Sequence, residues 1–115
     1  MSSINNNKIF ILAGEASGDL IGSYIMKGLK ENNQELIFFG VGGSHMNKQG
    51  LTSMYQMNEF NIIGFINTIY NFKKLNEYLN EIIYFILQEK PKVVITIDTK
   101  GFSLALAKKL KKIFS

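Results

Sequence analysis

Short apolar runs alternate with amphipathic segments along most of the chain, and this alternation predicts strands that alternate with helices. The runs that end at Ala13, Gly40 and Ile97 are rich in branched and aromatic side chains and are bounded by turn residues, which is typical of buried strands. Between them, apolar residues recur every three or four positions, which predicts helices. The expected strands are 8–13, 35–40, 54–57 and 92–97, and the expected helices are 19–31, 45–49, 61–70, 71–90 and 104–114.

Strands and helices that alternate at this spacing form right-handed βαβ crossovers and a parallel sheet. We therefore predict an α/β fold, a Rossmann-like parallel sheet flanked by helices. The predicted strands are fewer than the roughly five or six that are usual in open sheets of this kind. This difference predicts that the chain is a piece of a longer protein or that another chain supplies the missing strands.

Composition narrows the possible chemistry. The 115 residues are 46% hydrophobic and 19% charged, which fits one globular domain and argues against a disordered chain. The absence of cysteine excludes a disulfide scaffold and a thiol nucleophile, and a single histidine, His45, excludes any site that needs two imidazoles. All 13 basic residues are lysines, with a net charge of +4. Without arginine, an anion must be held by backbone N–H groups, hydroxyls or lysine charges.

The hydropathy pattern predicts neither a targeting segment nor a membrane span. Residues 1–8 are mostly polar, and the apolar run 9–13 is too short for a signal-peptide core. We therefore expect a cytoplasmic protein. The expected helix 61–70 is nevertheless apolar on almost every face. Most such stretches are ordinary core; the alternative is that part of this surface meets lipid or another domain.

Three loops follow the predicted strands at their carboxyl ends, where parallel sheets bind ligands: 14–19, 41–44 and 98–103. The first, with the sequence GEASGD, combines two glycines, a hydroxyl and two carboxylates, and the helix that follows offers N–H donors to a phosphate or sugar oxygen. The alternative is a tight turn in which Ser17 and Asp19 only cap the helix. The glycines of the second loop fit a ligand site and a simple turn equally well.

Asp98 directly follows the apolar run of the last predicted strand. A carboxylate at the mouth of a buried strand is partly desolvated, which suits it to proton abstraction. The alternative is an N-cap for the last helix. A receiver-like module would instead use Asp98 for phosphorylation or metal binding, but such modules cluster acidic residues after the first strand, where only Glu15 and Asp19 are close.

Several of these strings resemble the lipid-A-disaccharide synthase family. Residues 11–20 (ILAGEASGDL) are similar to its N-terminal signature, and 39–46 (FGVGGSHM), 63–65 (IGF) and 97–102 (IDTKGF) follow in the family's order. The first and last strings are the specific ones, and the likeness covers nearly the whole chain. Two positions depart from the family: Asn67 stands where a glutamate is usual, and Lys100 where proline is more common.

This resemblance implies an inverting GT-B glycosyltransferase with two Rossmann-like domains that face each other across a cleft. Residues 1–115 would form an incomplete N-terminal, acceptor-side domain, with the C-terminal UDP-sugar-binding domain absent. The implied reaction condenses UDP-diacylglucosamine with diacylglucosamine 1-phosphate to lipid A disaccharide 1-phosphate and UDP. The implied location is the cytoplasmic face of the inner membrane, with peripheral membrane contact. No cofactor, metal or nucleic acid is implied.

The resemblance also implies roles for individual residues. Asp98 would be the catalytic base that deprotonates the attacking sugar hydroxyl. The implied substrate-binding residues are Gly14, Glu15, Ser17, Gly18, Asp19, Gly42 and Gly43. The implied acyl-chain or membrane contacts are Ile62, Ile63, Phe65, Ile66 and Ile69.

Two interpretations of the short chain remain open. In the first, it is the N-terminal portion of the transferase and is inactive alone because the donor site is missing. In the second, it is a non-catalytic relic, or a docking half that works with a separately encoded C-terminal partner.

Overall fold

A computed structural model describes residues 7–55, 72–97 and 102–114. The strands are β1 (Lys8–Ala13), β2 (Ile37–Val41), β3 (Thr52–Ser53) and β4 (Val93–Ile97). The helices of these ranges are α1 (Ala16–Asn32), α2 (Ser44–Lys48), α3 (Phe72–Glu89) and α4 (Phe102–Phe114).

The four strands form one parallel sheet in the order β3-β2-β1-β4. The first strand is central, with Ile9 paired to Phe38 on one side and to Val93 on the other. Because a parallel neighbour requires a crossover, the chain passes through a helix between successive strands. The predicted α/β, Rossmann-like architecture is therefore confirmed.

Alternate side chains of β1 enter two separate hydrophobic cores, one on each face of the sheet. Ile9, Ile11 and Ala13 pack on one face with residues of α1 and α2. Phe10 and Leu12 pack on the other face, mainly against α3. The three-to-four spacing of apolar residues that predicts this helix places Leu79, Ile82, Ile83 and Ile86 on its buried side.

The structure corrects several predicted bounds. The first helix begins at Ala16 and not at Asp19, so only Gly14 and Glu15 separate it from β1. The third strand is Thr52–Ser53, and the predicted strand 54–57 is wrong where the structure describes it, because Met54 and Tyr55 lie in a bend. The last helix begins at Phe102, two residues before the predicted start.

The last strand is less buried than its apolar sequence indicates. Val93 is 43% exposed and Val94 is 36% exposed. In the described part of the sheet β4 has a neighbour only on the β1 side, which leaves its other edge uncovered. The predicted helix 61–70 lies outside the described residues.

Candidate functional site

The carboxyl ends of β1, β2 and β4 lie side by side at one edge of the sheet. Leu12 is paired with Val41, and Ala13 is paired with Ile97. Paired strands lie about 4.8 Å apart, so the chain leaves the sheet at three neighbouring points. The next residues in sequence are Gly14, Gly42 and Asp98, one in each of the three predicted loops; Asp98 itself lies outside the described residues.

The first loop presents its polar groups to differing degrees. Gly14 is buried, Glu15 is half-buried and Ser17 is exposed. Glu15 precedes the first residue of α1 in an extended conformation, and its side chain does not cap that helix. Ser17 is therefore exposed in the first turn of α1, two residues after the half-buried Glu15.

Gly18 allows α1 to approach the sheet closely. A Cβ at this position would lie 3.2 Å from the Cβ of Ala13 and 3.3 Å from Cγ2 of Ile97. Both contacts are tight, because neither neighbour is the free end of a long side chain. A larger residue would push the first turn of α1 away from β1 and β4.

Asp19 joins α1 to the second loop. Its Oδ1 accepts hydrogen bonds from the backbone N–H groups of Gly43 at 2.7 Å and Met46 at 3.0 Å, and its Oδ2 accepts one from His45 at 3.0 Å. The alternative in which Asp19 caps its own helix is therefore not the arrangement that the structure has. Its carboxylate caps α2 instead, satisfying N–H groups that a helix start leaves without partners.

The second loop is packed tightly between α1 and the sheet. A Cβ at Gly42 would lie 2.7 Å from the Sδ of Met46 and 2.8 Å from Cδ2 of Leu51, so only glycine fits here without movement. The backbone N–H of Gly42 donates to Oγ of Ser53 at 3.2 Å. Sequence reasoning missed Ser53, because it belongs to a two-residue strand that the hydropathy pattern does not show.

The predicted site residues thus fall into three groups. Glu15, Ser17 and Gly43 are at least partly accessible to solvent at the carboxyl edge. Four others, all buried, are Gly14, Gly18, Asp19 and Gly42. Asp98 and the predicted membrane contacts lie outside the described residues.

Three further features of the described residues bear on possible metal or membrane binding. His45 is exposed, and its backbone N–H donates to Asp19. No three His, Asp or Glu side chains in the described ranges are grouped closely enough to hold a metal ion. None of the helices within those ranges is both long enough and apolar enough to cross a membrane.

Comparison with known proteins agrees with the sequence resemblance. A family model described as lipid-A-disaccharide synthetase matches residues 9–114. A protein of Gluconobacter oxydans (strain 621H) is 39% identical over 104 residues, covering 90% of this chain and 25% of the relative. Proteins of Rickettsia prowazekii (strain Madrid E) and Pseudomonas fluorescens (strain SBW25) are each 36% identical over 107 residues, covering 92% and 93% of this chain and 28% of each relative. All three are named lipid-A-disaccharide synthase, and the chain spans about a quarter of their length.

Proposed function

The chain belongs to the lipid-A-disaccharide synthetase family, and we propose that its residues form the acceptor side of a lipid-A-disaccharide synthase. In the proposed reaction, a diacylglucosamine unit passes from UDP-diacylglucosamine to diacylglucosamine 1-phosphate. The bond between the sugar and UDP breaks, and the acceptor hydroxyl oxygen bonds to the anomeric carbon. The products are lipid A disaccharide 1-phosphate and UDP.

The observation that carries this proposal is the alignment of three strand ends at one edge of the sheet. The pairs Leu12–Val41 and Ala13–Ile97 bring the strand ends before the three loops together. Parallel α/β sheets bind their ligands outside this edge. A sugar presents several hydroxyl groups, and the Ser17 hydroxyl and Glu15 carboxylate are suitable partners for them.

Asp98 is proposed as the general base. It is bonded to Ile97, the residue paired with Ala13 at the end of β1. Its carboxylate would take the proton of the acceptor hydroxyl as that oxygen attacks the anomeric carbon from the side opposite the departing UDP. Attack from the opposite side inverts the configuration of the anomeric carbon.

The remaining parts of the proposal concern partners and location. A second domain, in the same or a separate chain, would hold UDP-diacylglucosamine across a cleft from the edge formed by β1, β2 and β4. Ile62, Ile63, Phe65, Ile66 and Ile69 would contact acyl chains or the cytoplasmic face of the inner membrane. Residues 1–115 are then not expected to transfer the sugar by themselves.

A chimeric transferase tests the proposed base. Residues 1–115 are followed by the remaining sequence of the Rickettsia prowazekii relative, and transfer from UDP-diacylglucosamine to diacylglucosamine 1-phosphate is measured. General bases contribute about 10²–10⁴-fold, so Asp98→Asn should reduce turnover by that factor and leave the circular dichroism spectrum unchanged.

The matched control is Glu35→Gln, which also neutralises a carboxylate. Glu35 is exposed in the turn before β2, at the amino ends of the strands. Turnover of the Glu35→Gln chimera should therefore stay at the level of the parent chimera. Undiminished turnover of the Asp98→Asn chimera would remove the base assignment. Transfer by residues 1–115 alone would contradict the proposed division between acceptor and donor sides. A chimera that folds and does not transfer would favour the non-catalytic alternative.

A further inference from the structure

Asp19 is a buried carboxylate whose hydrogen bonds all join separate elements of the fold. Its side chain lies within α1, yet its three acceptor contacts go to Gly43, His45 and Met46. The residue is only 4% exposed. A carboxylate with three N–H donors at 2.7–3.0 Å is well satisfied and has no need of a ligand.

The packing around these bonds leaves the second loop little freedom. A Cβ at Gly43 would lie 2.8 Å from Oδ2 of Asp19 and 3.0 Å from its Cγ. A Cβ at Gly22, one turn along α1, would lie 2.6 Å from the Sδ of Met46. On the opposite side of the loop, Ser53 accepts the N–H of Gly42. The loop is therefore held from α1 and from β3 at once.

The Asp19 hydrogen bonds also affect anion binding at the start of α2. The N-terminal N–H groups of α2 would attract an anion if they were open. The Asp19 carboxylate already occupies the N–H groups of Gly43, His45 and Met46. These three N–H groups are therefore not available to the acceptor phosphate, and the loop would meet the substrate through its outer, solvent-facing side.

We infer that Asp19 is a positioning residue, which fixes the Gly42–Gly43 loop relative to Glu15 and Ser17 without touching the substrate. The inference rests on the proposed function, because it assumes that these two stretches bind the acceptor together. Asp19 lies in the first turn of α1, where its backbone N–H donates to the carbonyl oxygen of Glu15 at 2.9 Å, so its side-chain hydrogen bonds set the separation of the two stretches. Loss of these bonds should weaken acceptor binding through the loop.

The test uses Asp19→Asn in the whole chain, with Ser23→Ala as the matched control. The asparagine keeps the shape of the side chain but replaces one acceptor oxygen by an N–H₂ group, which cannot accept a hydrogen bond. Ser23 is a second buried polar residue of α1, and its hydroxyl bonds only within the helix, to the carbonyl oxygen of Leu20. Two quantities are measured: amide hydrogen exchange by NMR, and binding of diacylglucosamine 1-phosphate in detergent micelles.

In the Asp19→Asn chain, the amides of Gly43, His45 and Met46 should exchange about tenfold faster or more, because a charge-assisted hydrogen bond is lost. Acceptor affinity should fall about tenfold. Ser23→Ala should leave both the loop exchange and the affinity at the wild-type level. A purely structural role for Asp19 would alter the loop exchange and leave the affinity where it was.

Each outcome supports or overturns a different statement. Unchanged exchange at the three amides would overturn the proposed coupling, and faster exchange with full affinity would overturn the positioning role. A wild-type chain that does not bind the acceptor would instead contradict the proposed acceptor side. Should Asp19→Asn not fold, Gly43→Ala gives the same test, because its methyl group would force the loop away from a carboxylate that keeps its charge.

Discussion

The contact between Asp19 and Gly43 predicts a specific coupling energy in a double-mutant cycle. Gly43 has φ −107° and ψ −154°, a conformation that alanine adopts without strain. The cost of Gly43→Ala should therefore come from its surroundings, where the new Cβ would lie 2.8 Å from Oδ2 of Asp19. Overpacking of this kind costs about 1–3 kcal/mol.

The second arm of the cycle is Asp19→Ala. It leaves the buried Met46 N–H without its acceptor, at a cost of about 1–3 kcal/mol, while water can reach the two less buried amides and limit their loss to about 0.5–1 kcal/mol each. We therefore expect a total of about 2–5 kcal/mol. Once the carboxylate is gone, the alanine methyl at position 43 has room, and its cost should fall below about 0.5 kcal/mol.

The two substitutions should thus be less destabilising together than the sum of the single changes, by about 0.5–3 kcal/mol. Urea unfolding of the four chains, followed by circular dichroism with a common m-value, measures this difference. Additive effects within about 0.5 kcal/mol would refute the reasoning, because they would show that the Gly43 methyl group does not meet Asp19.

Three further substitutions test the fold. Gly40 has φ +147° and its Cβ would clash with the carbonyl oxygen of Ile11, so Gly40→Ala should destabilise the chain by more than about 4 kcal/mol in urea; a folded variant of near wild-type stability would contradict the β1–β2 register. Ile82 is fully buried, so Ile82→Ala should lower the free energy of unfolding by about 2–5 kcal/mol in the same measurement. A loss below about 1 kcal/mol would contradict the packing of α3 against the sheet. The Lys8–Glu89 ion pair is about 40% exposed at both side chains, so Lys8→Met should change the free energy of unfolding by less than about 1 kcal/mol. This change should disappear at high salt concentration, and a larger, salt-independent loss would be inconsistent with a surface pair.

The sequence predicted the fold well wherever the hydropathy pattern was typical of a single kind of element. The run 9–13 is apolar throughout, and β1 is the buried central strand of the sheet. The stripe that includes Leu79, Ile82 and Ile86 likewise lies on one face of α3 and packs against the sheet. In both elements local periodicity and tertiary burial require the same residues, so the prediction did not depend on unknown contacts.

The errors have a common cause, which is that the deciding interactions join distant parts of the chain. The start of α1 was expected at Asp19 because an acidic residue suits a first helical turn, but its carboxylate bonds to residues 43, 45 and 46 instead. The prediction of the third strand at 54–57 was wrong. Its true position is set by pairing with Phe39 and Gly40, and hydropathy does not indicate that pairing. The exposure of Val93 and Val94 likewise follows from the position of β4 in the sheet and not from composition.

The candidate site was predictable in place but not in internal detail. The loops 14–19 and 41–44 were expected to meet because parallel strands end at one edge, and the strand register agrees. The division between accessible and buried residues was not predictable, because it depends on how closely Gly18 and Gly22 let α1 approach its neighbours. The assigned roles of Asp98 and of Glu15 and Ser17 stay predictions.

The central claim is that the acceptor binds where β1, β2 and β4 end. Titration of diacylglucosamine 1-phosphate micelles into the isotopically labelled chain tests it, with micelles of the same detergent alone as the control. We predict that the largest amide shifts fall on Gly14, Glu15 and Gly43 at the carboxyl edge. Shifts confined to the opposite edge, around Asn33, Glu35 and Lys92, would contradict the claim.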